Sequence, residues 1–150
     1  LRDFDRIARA YRWLEYLTFG PTLQRCRSRH LDRLVGTGHV LVLGDGDGRF
    51  TAALLACHRR ACAVAVDQSP SMLALLSERV RKAGSSPRLT IVQQEAVSLL
   101  AQASQGLPGQ PAEGFDCVCS HFFLDCLSNA QVHRLVAGVR PRLAPGALWI

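Results

Sequence analysis

The stretch LVLGDGDGRF, residues 41–50, sets three alternating glycines and two aspartates directly after an apolar run. His39–Leu43 reads as a short strand buried on both faces, with Gly36 and Gly38 before it and Gly44 after it. Residues 49–58 read as the helix that follows. Glycines in such a turn permit positive φ and let a ligand touch the main chain. The plainer alternative is a tight strand-to-helix turn with no ligand.

The same rhythm repeats on both sides. Upstream, Phe4, Ile7, Tyr11, Leu14 and Leu17 recur at helical spacing over residues 3–18, and Gly20 and Pro21 stop the helix. A second helix is predicted over 22–34, with Leu23, Cys26, Leu31 and Leu34 on one face. Downstream, residues 61–66 form a buried strand ending at Asp67. Ser69 and Pro70 then start a helix carrying Met72, Leu73, Leu75, Leu76 and Val80, which runs to Gly84. Strands are predicted at 89–92 and 115–120, a weaker helix at 96–103, and a loop at 104–114. Ser128 caps a helix running to about Arg140, and a turn at Pro145 and Gly146 leads to a strand at 147–150.

Two helices followed by βαβαβαβαβ predict an α/β fold. It is Rossmann-like and doubly wound, with a mainly parallel sheet and helices on both faces. Residues 1–36 read as an N-terminal helical cap, and 37–150 as the Rossmann-like domain. Because the sequence stops within the fifth strand, the C-terminal strands are expected to be missing by truncation.

Composition narrows the function. The charged share of 20% is a globular value, not a disordered one. The longest apolar stretch, 52–66, is broken by His58, Arg59 and Arg60, so no membrane-spanning helix is expected, and no secretory leader is visible. No cysteine pair has C-x-x-C spacing, and Cys117 and Cys119 share one face of a strand, so no metal site is expected. The six cysteines read as reduced packing residues of a cytoplasmic protein. Net charge is +6, and residues 1–35 hold eight arginines against four acids. The densest patch, RCRSRH at 25–30, carries no interleaved aromatics, so nucleic acid is not an expected partner. A solvated helix face is its plain reading.

The ligand follows from what the loop excludes. A dinucleotide fingerprint G-x-G-x-x-G would put its third glycine where Arg49 stands, and no G-K-[ST] exists for a P-loop. Pyrophosphate would face Asp45 and Asp47, and like charges repel. S-adenosyl-L-methionine carries a sulfonium and an ammonium but no phosphate, and helix-start N–H groups can meet its carboxylate. Asp67, 19 residues after Gly48, is placed to accept both ribose hydroxyls, or else it only flanks the helix. Glu95 can accept from the adenine amine while Ala96 offers its N–H; the alternative is a surface glutamate.

With these residues in place, the chain resembles the class I S-adenosylmethionine-dependent methyltransferases. LVLGDGDGRF is similar to their first motif, VDQSPSML (66–73) to the second and QEAV (94–97) to the third. FDCVCSHFFLDCL (115–127) is similar to the fourth, and RPRLAPGALWI (140–150) to the segment entering strand five. FDRIARAYRWL (4–14) resembles the N-terminal helix of the menaquinone and ubiquinone C-methyltransferase branch. The resemblance implies a cofactor site of Tyr11, Gly44, Asp45, Gly46, Gly48, Asp67, Gln68, Met72, Glu95, Ala96 and Ser120. In it Tyr11 closes over the cofactor, and Met72 packs near its adenine or ribose. Val42 stands where relatives carry an acid near the methionine end, a role that passes to Asp45. Glu95 replaces a commoner aspartate.

The acceptor is expected beyond strand four, in SHFFLDCL (120–127). His121 has a suitable pKa for a general base, and Asp125 would orient it or bind substrate. A packed histidine without a chemical role is the alternative. Phe122, Phe123 and Leu124 line a pocket or belong to the core. A small-molecule acceptor is the expected partner. The alternatives are nucleic-acid or protein methylation through the arginine patch, and a cofactor-binding module without catalysis.

Overall fold

A computed structural model describes residues 21–102 and 106–150. The proposed helix at 3–18 and Tyr11 lie outside these residues. Helix α1 (Pro21–Ser28) and a 3-10 turn (Leu31–Leu34) lead into strand β1 (His39–Leu43). Then come α2 (Arg49–Cys57), β2 (Cys62–Asp67), α3 (Pro70–Lys82), β3 (Leu89–Gln93), α4 (Ala96–Ala101), β4 (Phe115–Cys119), α5 (Asn129–Val139) and β5 (Leu143–Trp149). The five strands form one parallel sheet in the order β3-β2-β1-β4-β5.

Two-residue periodicity sorts the core onto two faces. Val40, Val42, Ala63, Ala65, Cys117 and Cys119 pack with Phe50, Leu54, Leu55, Leu76 and Val80 of α2 and α3. Leu41, Leu43, Val64, Val66 and Val118 pack with Val97, Leu100, Leu135 and Val139 of α4 and α5. Helices on both faces explain why the inner strands read as unbroken apolar runs.

Local signals hold at the helix starts. The Ser69 hydroxyl accepts from the Met72 N–H at 3.4 Å, with Pro70 in the first turn. Ser128 and Gln131 form a reciprocal capping box.

The structure departs from the sequence reading in three places. The single helix predicted over 22–34 is broken: α1 ends at Ser28, and the chain tightens so that Leu34 is fully buried and Leu31 packs on the core. Strand β5 begins at Leu143 and runs through Pro145 and Gly146. Phe115 pairs with Leu143 and Cys117 with Leu148, so residues 144–147 bulge, which an edge strand tolerates. Only Cys117 and Cys119 are buried thiols; Cys26, Cys57 and Cys126 are exposed.

Arg142 is 4% exposed. Its guanidinium donates to the carbonyls of Leu100, Gly138 and Gln102, tying the end of α4 to the end of α5. Among the described residues no helix is long and apolar enough to cross a membrane.

The chain moves outward from β1 to β2 and β3, then returns to place β4 on the other side of β1. This reversal opens a crevice beyond the carboxyl ends of β1 and β4, where ligands bind in such sheets. The loops beginning at Gly44 and Ser120 flank it.

Candidate functional site

The three glycines of the first loop are all left-handed, with φ of +65° at Gly44, +61° at Gly46 and +77° at Gly48. They differ in what lies beside them. A Cβ on Gly48 would sit 2.6 Å from the Leu76 Cα, so this glycine lets the loop pack on α3. A Cβ on Gly44 would sit 2.3 Å from the Phe123 ring, which covers it. At Gly46 nothing comes nearer than the Met72 Sδ at 3.9 Å. Gly46 is therefore the bare stretch of backbone with room in front of it, and it fits a ligand pressed against the main chain.

The two aspartates point to different partners. Asp45 accepts from the Thr51 N–H at 2.9 Å, the Thr51 hydroxyl at 2.7 Å and the Phe50 N–H at 3.4 Å, so it caps α2 from a distance. Burial pushes its pKa up to about 6; the bonds from Thr51 and Phe50 and the charge of Arg27 oppose this only in part. Asp47 turns outward to α3. Its carboxylate meets the Arg79 Nη2 at 2.8 Å and the Arg49 Nε at 3.1 Å, and its carbonyl accepts from the Arg79 Nε at 3.0 Å. This corrects the expectation that both carboxylates face the ligand. Two arginines neutralise Asp47, and Arg49 joins that lock.

Asp45 makes a pH prediction. Its unfolded carboxyl titrates near 3.8 and its folded one near 6, so between those values the native state holds the extra proton. Stability from this group is therefore present below pH 3.8 and is lost as pH rises to 6, by about 3 kcal/mol. Urea melts at pH 4 and pH 6.5, which span most of that window, should show wild type losing about 2 kcal/mol more stability than Asp45→Asn. Parallel losses in the two proteins would contradict it.

Asp67 closes β2 beside this loop. It accepts from the Ser69 N–H at 2.9 Å, and the N–H groups of Gln68 and Gly46 also turn toward it. Burial raises its pKa, and these bonds pull the other way. A carboxylate has about four lone-pair positions, so acceptor capacity is left over. Gln68 is exposed beside it, and Met72 stands one turn along α3. The Gln94 N–H donates to the Asp67 carbonyl at 3.1 Å, which brings the end of β3 to the same edge. Glu95 then caps α4, accepting from the Val97 N–H at 2.9 Å and the Ser98 N–H at 2.7 Å. Burial works against its charge, yet those bonds and Arg134 leave its pKa lowered. Ala96 is buried as the first residue of that helix.

Beyond β4, Ser120 is buried. Its N–H donates to the Ile150 carbonyl and its hydroxyl accepts from the Trp149 indole, both at 2.9 Å. His121 packs its ring 4.5 Å from that of Phe50 at 50°, and its buried Nε2 has no hydrogen-bond partner among the described residues. Burial lowers its pKa, and the charges of Arg27 and His30 lower it further. Asp125 is exposed on the 3-10 turn Leu124–Cys126, and no hydrogen bond joins it to His121. The fold thus gathers Gly46, Asp67 and Met72 closely, with the end of β3 beside them, and leaves Asp125 apart from His121.

Three residues act on this loop in ways the sequence reading did not assign. Arg79 and Phe123 reach the loop from 32 and 79 positions away. Thr51 has a local cue that passes unread, a hydroxyl in the first turn of α2, six residues after Asp45.

A switch-point crevice with an open glycine backbone and a ribose-competent carboxylate defines an α/β domain for a nucleoside cofactor. A family model described as a methyltransferase domain matches residues 40–146, and the chain belongs to that family. Its cofactor is S-adenosylmethionine. No curated protein aligns significantly with the sequence. Among solved structures, the chain is similar to the glycopeptide N-methyltransferase MtfA, with TM-score 0.62 and 27% identity over 82% of this chain and 51% of that one. It is also similar to an O-methyltransferase family protein from Burkholderia thailandensis, with TM-score 0.63 and 15% identity over 85% and 38%. The pyocyanin biosynthetic protein PhzM gives TM-score 0.64 and 19% identity over 84% and 35%. The chain thus spans about a third to a half of these neighbours' own lengths.

Proposed function

We propose that this chain is the cofactor-binding part of a methyltransferase acting on a small-molecule acceptor. The observation that carries the reading is the open, left-handed Gly46 beside Asp67 at the switch point. When bound, S-adenosylmethionine supplies an electrophilic methyl group on a sulfonium. Gly44, Gly46 and Gly48 shape the backbone that receives it. Asp67 accepts the ribose hydroxyls, with Gln68 and Met72 beside the nucleoside. Glu95 uses lone pairs left over from its cap to accept from the adenine amine, and Ala96 offers its N–H. Asp45 attends the methionine end, adding its charge while it caps α2, and Ser120 and Tyr11 complete the cofactor site, Tyr11 closing over the cofactor.

On the acceptor side, His121 takes a proton from the acceptor, and Asp125 contacts the acceptor itself. The lowered pKa of His121 keeps it neutral and receptive at pH 7. A small acceptor agrees with the kinds of substrate named for two neighbours, a glycopeptide and the pyocyanin pathway. A cytoplasmic location agrees with six free thiols.

Titration calorimetry on the full-length protein tests the assignment. S-adenosylhomocysteine is expected to bind, and NAD is not. Equal or tighter binding of NAD would overturn it.

A further inference from the structure

The loop that carries Gly46 is weakly held by its own bonds. Its inner turn closes through the Gly48 N–H on the Asp45 carbonyl at 3.3 Å, longer than the usual N–H···O distance of about 3.0 Å. The firmer hold comes from one face of α3. Met72, Leu76 and Arg79 recur at helical spacing and line one side of that helix. Leu76 packs against Gly48, and the Met72 Sδ lies nearest the open side of Gly46. Arg79 takes Asp47, the residue between those two glycines.

The grip of Arg79 differs in kind from that of Arg49. Arg79 donates from Nε to the Asp47 carbonyl at 3.0 Å and from Nη2 to the Asp47 carboxylate at 2.8 Å. One planar fork thus fixes the main chain and the side chain of Asp47 together. Arg49 donates to the carboxylate alone, at 3.1 Å. The Asp47 carbonyl and the Gly48 N–H belong to one peptide plane, so Arg79 holds the very plane whose inner bond is long. Glu78, beside Arg79 on α3, does not compete, because Arg81 and Lys82 hold its carboxylate. Arg79 opens onto a basin lined also by Arg49, Ala52, Lys82 and Ala83, and none of the cofactor residues borders it.

We propose that Arg79 is a positioning residue for the cofactor: from behind the loop, its fork on Asp47 fixes the Asp47–Gly48 peptide and keeps the open side of Gly46 turned to the crevice. The role rests on the reading of this crevice as the seat of S-adenosylmethionine. A backbone already in its binding conformation gives up less freedom when the ligand arrives. Without the fork, only a fraction of molecules hold the competent loop, and apparent affinity falls by that fraction. Asp47 keeps Arg49 when Arg79 is lost, so its carboxylate is not stranded and the fold persists.

The test uses full-length protein and two readouts: S-adenosylhomocysteine affinity by titration calorimetry, and exchange of the buried Gly48 amide in the ligand-free protein by NMR. Arg79→Met keeps the apolar stem and removes the fork. It should raise the dissociation constant about tenfold, as when about one molecule in ten stays competent, and speed Gly48 exchange at least as much. Arg79→Lys reaches the carbonyl or the carboxylate but not both, and should bind about threefold more weakly than wild type. Arg49→Met removes the same charge without touching the carbonyl, and should stay within about twofold of wild type in both readouts. Equal losses of affinity in Arg79→Met and Arg49→Met would assign the effect to charge and overturn the proposal. Unchanged affinity in Arg79→Met would make Arg79 a structural residue and overturn it too. If Arg79→Met does not fold, Arg79→Lys decides: wild-type affinity there means that the fork is not needed. Failure of wild type to bind S-adenosylhomocysteine at all would sink the methyltransferase reading, and this role with it, before any variant is compared.

Discussion

Replacing His121 by alanine in the full-length enzyme should lower turnover by about 10²-fold, the usual scale for loss of a general base. S-adenosylhomocysteine affinity should barely change. The reasons are geometric first. His121 follows β4 at the crevice, its ring is fixed against Phe50, and its buried Nε2 has no partner among the described residues. An unpartnered buried nitrogen costs stability unless something else satisfies it, and an acceptor hydroxyl or amine can do so. Burial, with the neighbouring charge of Arg27, keeps the imidazole neutral. Turnover of wild type should therefore rise with pH through a pKa below the ordinary histidine value of about 6.5, and His121→Ala should lack that limb. A variant with normal turnover and normal cofactor affinity would make His121 a packing residue, with orientation alone carrying the reaction.

What the sequence could reveal depended on the range of the interaction. The β-α alternation is written in runs of five to thirteen residues, and His39–Leu43, Cys62–Asp67 and the Ser69 and Ser128 caps all declare themselves locally. The glycine loop was legible as a left-handed turn because such backbone has few residue choices. Its two aspartates misled. Two positions apart, they suggest a shared direction, but the left-handed Gly46 turns the chain between them, and one carboxylate leaves for α2 while the other leaves for α3.

The other surprises are long-range pairs without any period. Arg142 finds the carbonyls of Leu100 and Gln102 across 42 and 40 positions. Phe123 finds Gly44, and Arg27 finds Phe122. Nothing in the residues adjacent to Arg27 marks it as different from Arg25 or Arg29. Only the break of the predicted helix at Ser28, which lets Leu31 and Leu34 reach the core, decides where that arginine lies.

The central claim is that Asp67 and the open side of Gly46 form the nucleoside seat. A carboxylate accepting hydroxyls makes charged hydrogen bonds, worth about 1.5–3 kcal/mol each. Two such bonds to a ribose correspond to a loss of at least tenfold in affinity when they are removed, since each 1.4 kcal/mol is tenfold. Asp67 also accepts from the Ser69 N–H, with those of Gln68 and Gly46 turned toward it, yet it sits at a strand end and outside both apolar clusters, so its removal should leave the fold standing. The decisive measurement is the dissociation constant of S-adenosylhomocysteine for full-length wild type and Asp67→Ala, by titration calorimetry, with matching circular dichroism spectra as the control. The account predicts a constant at least tenfold larger in the variant; an unchanged constant would mean that Asp67 only flanks α3 and that the seat lies elsewhere.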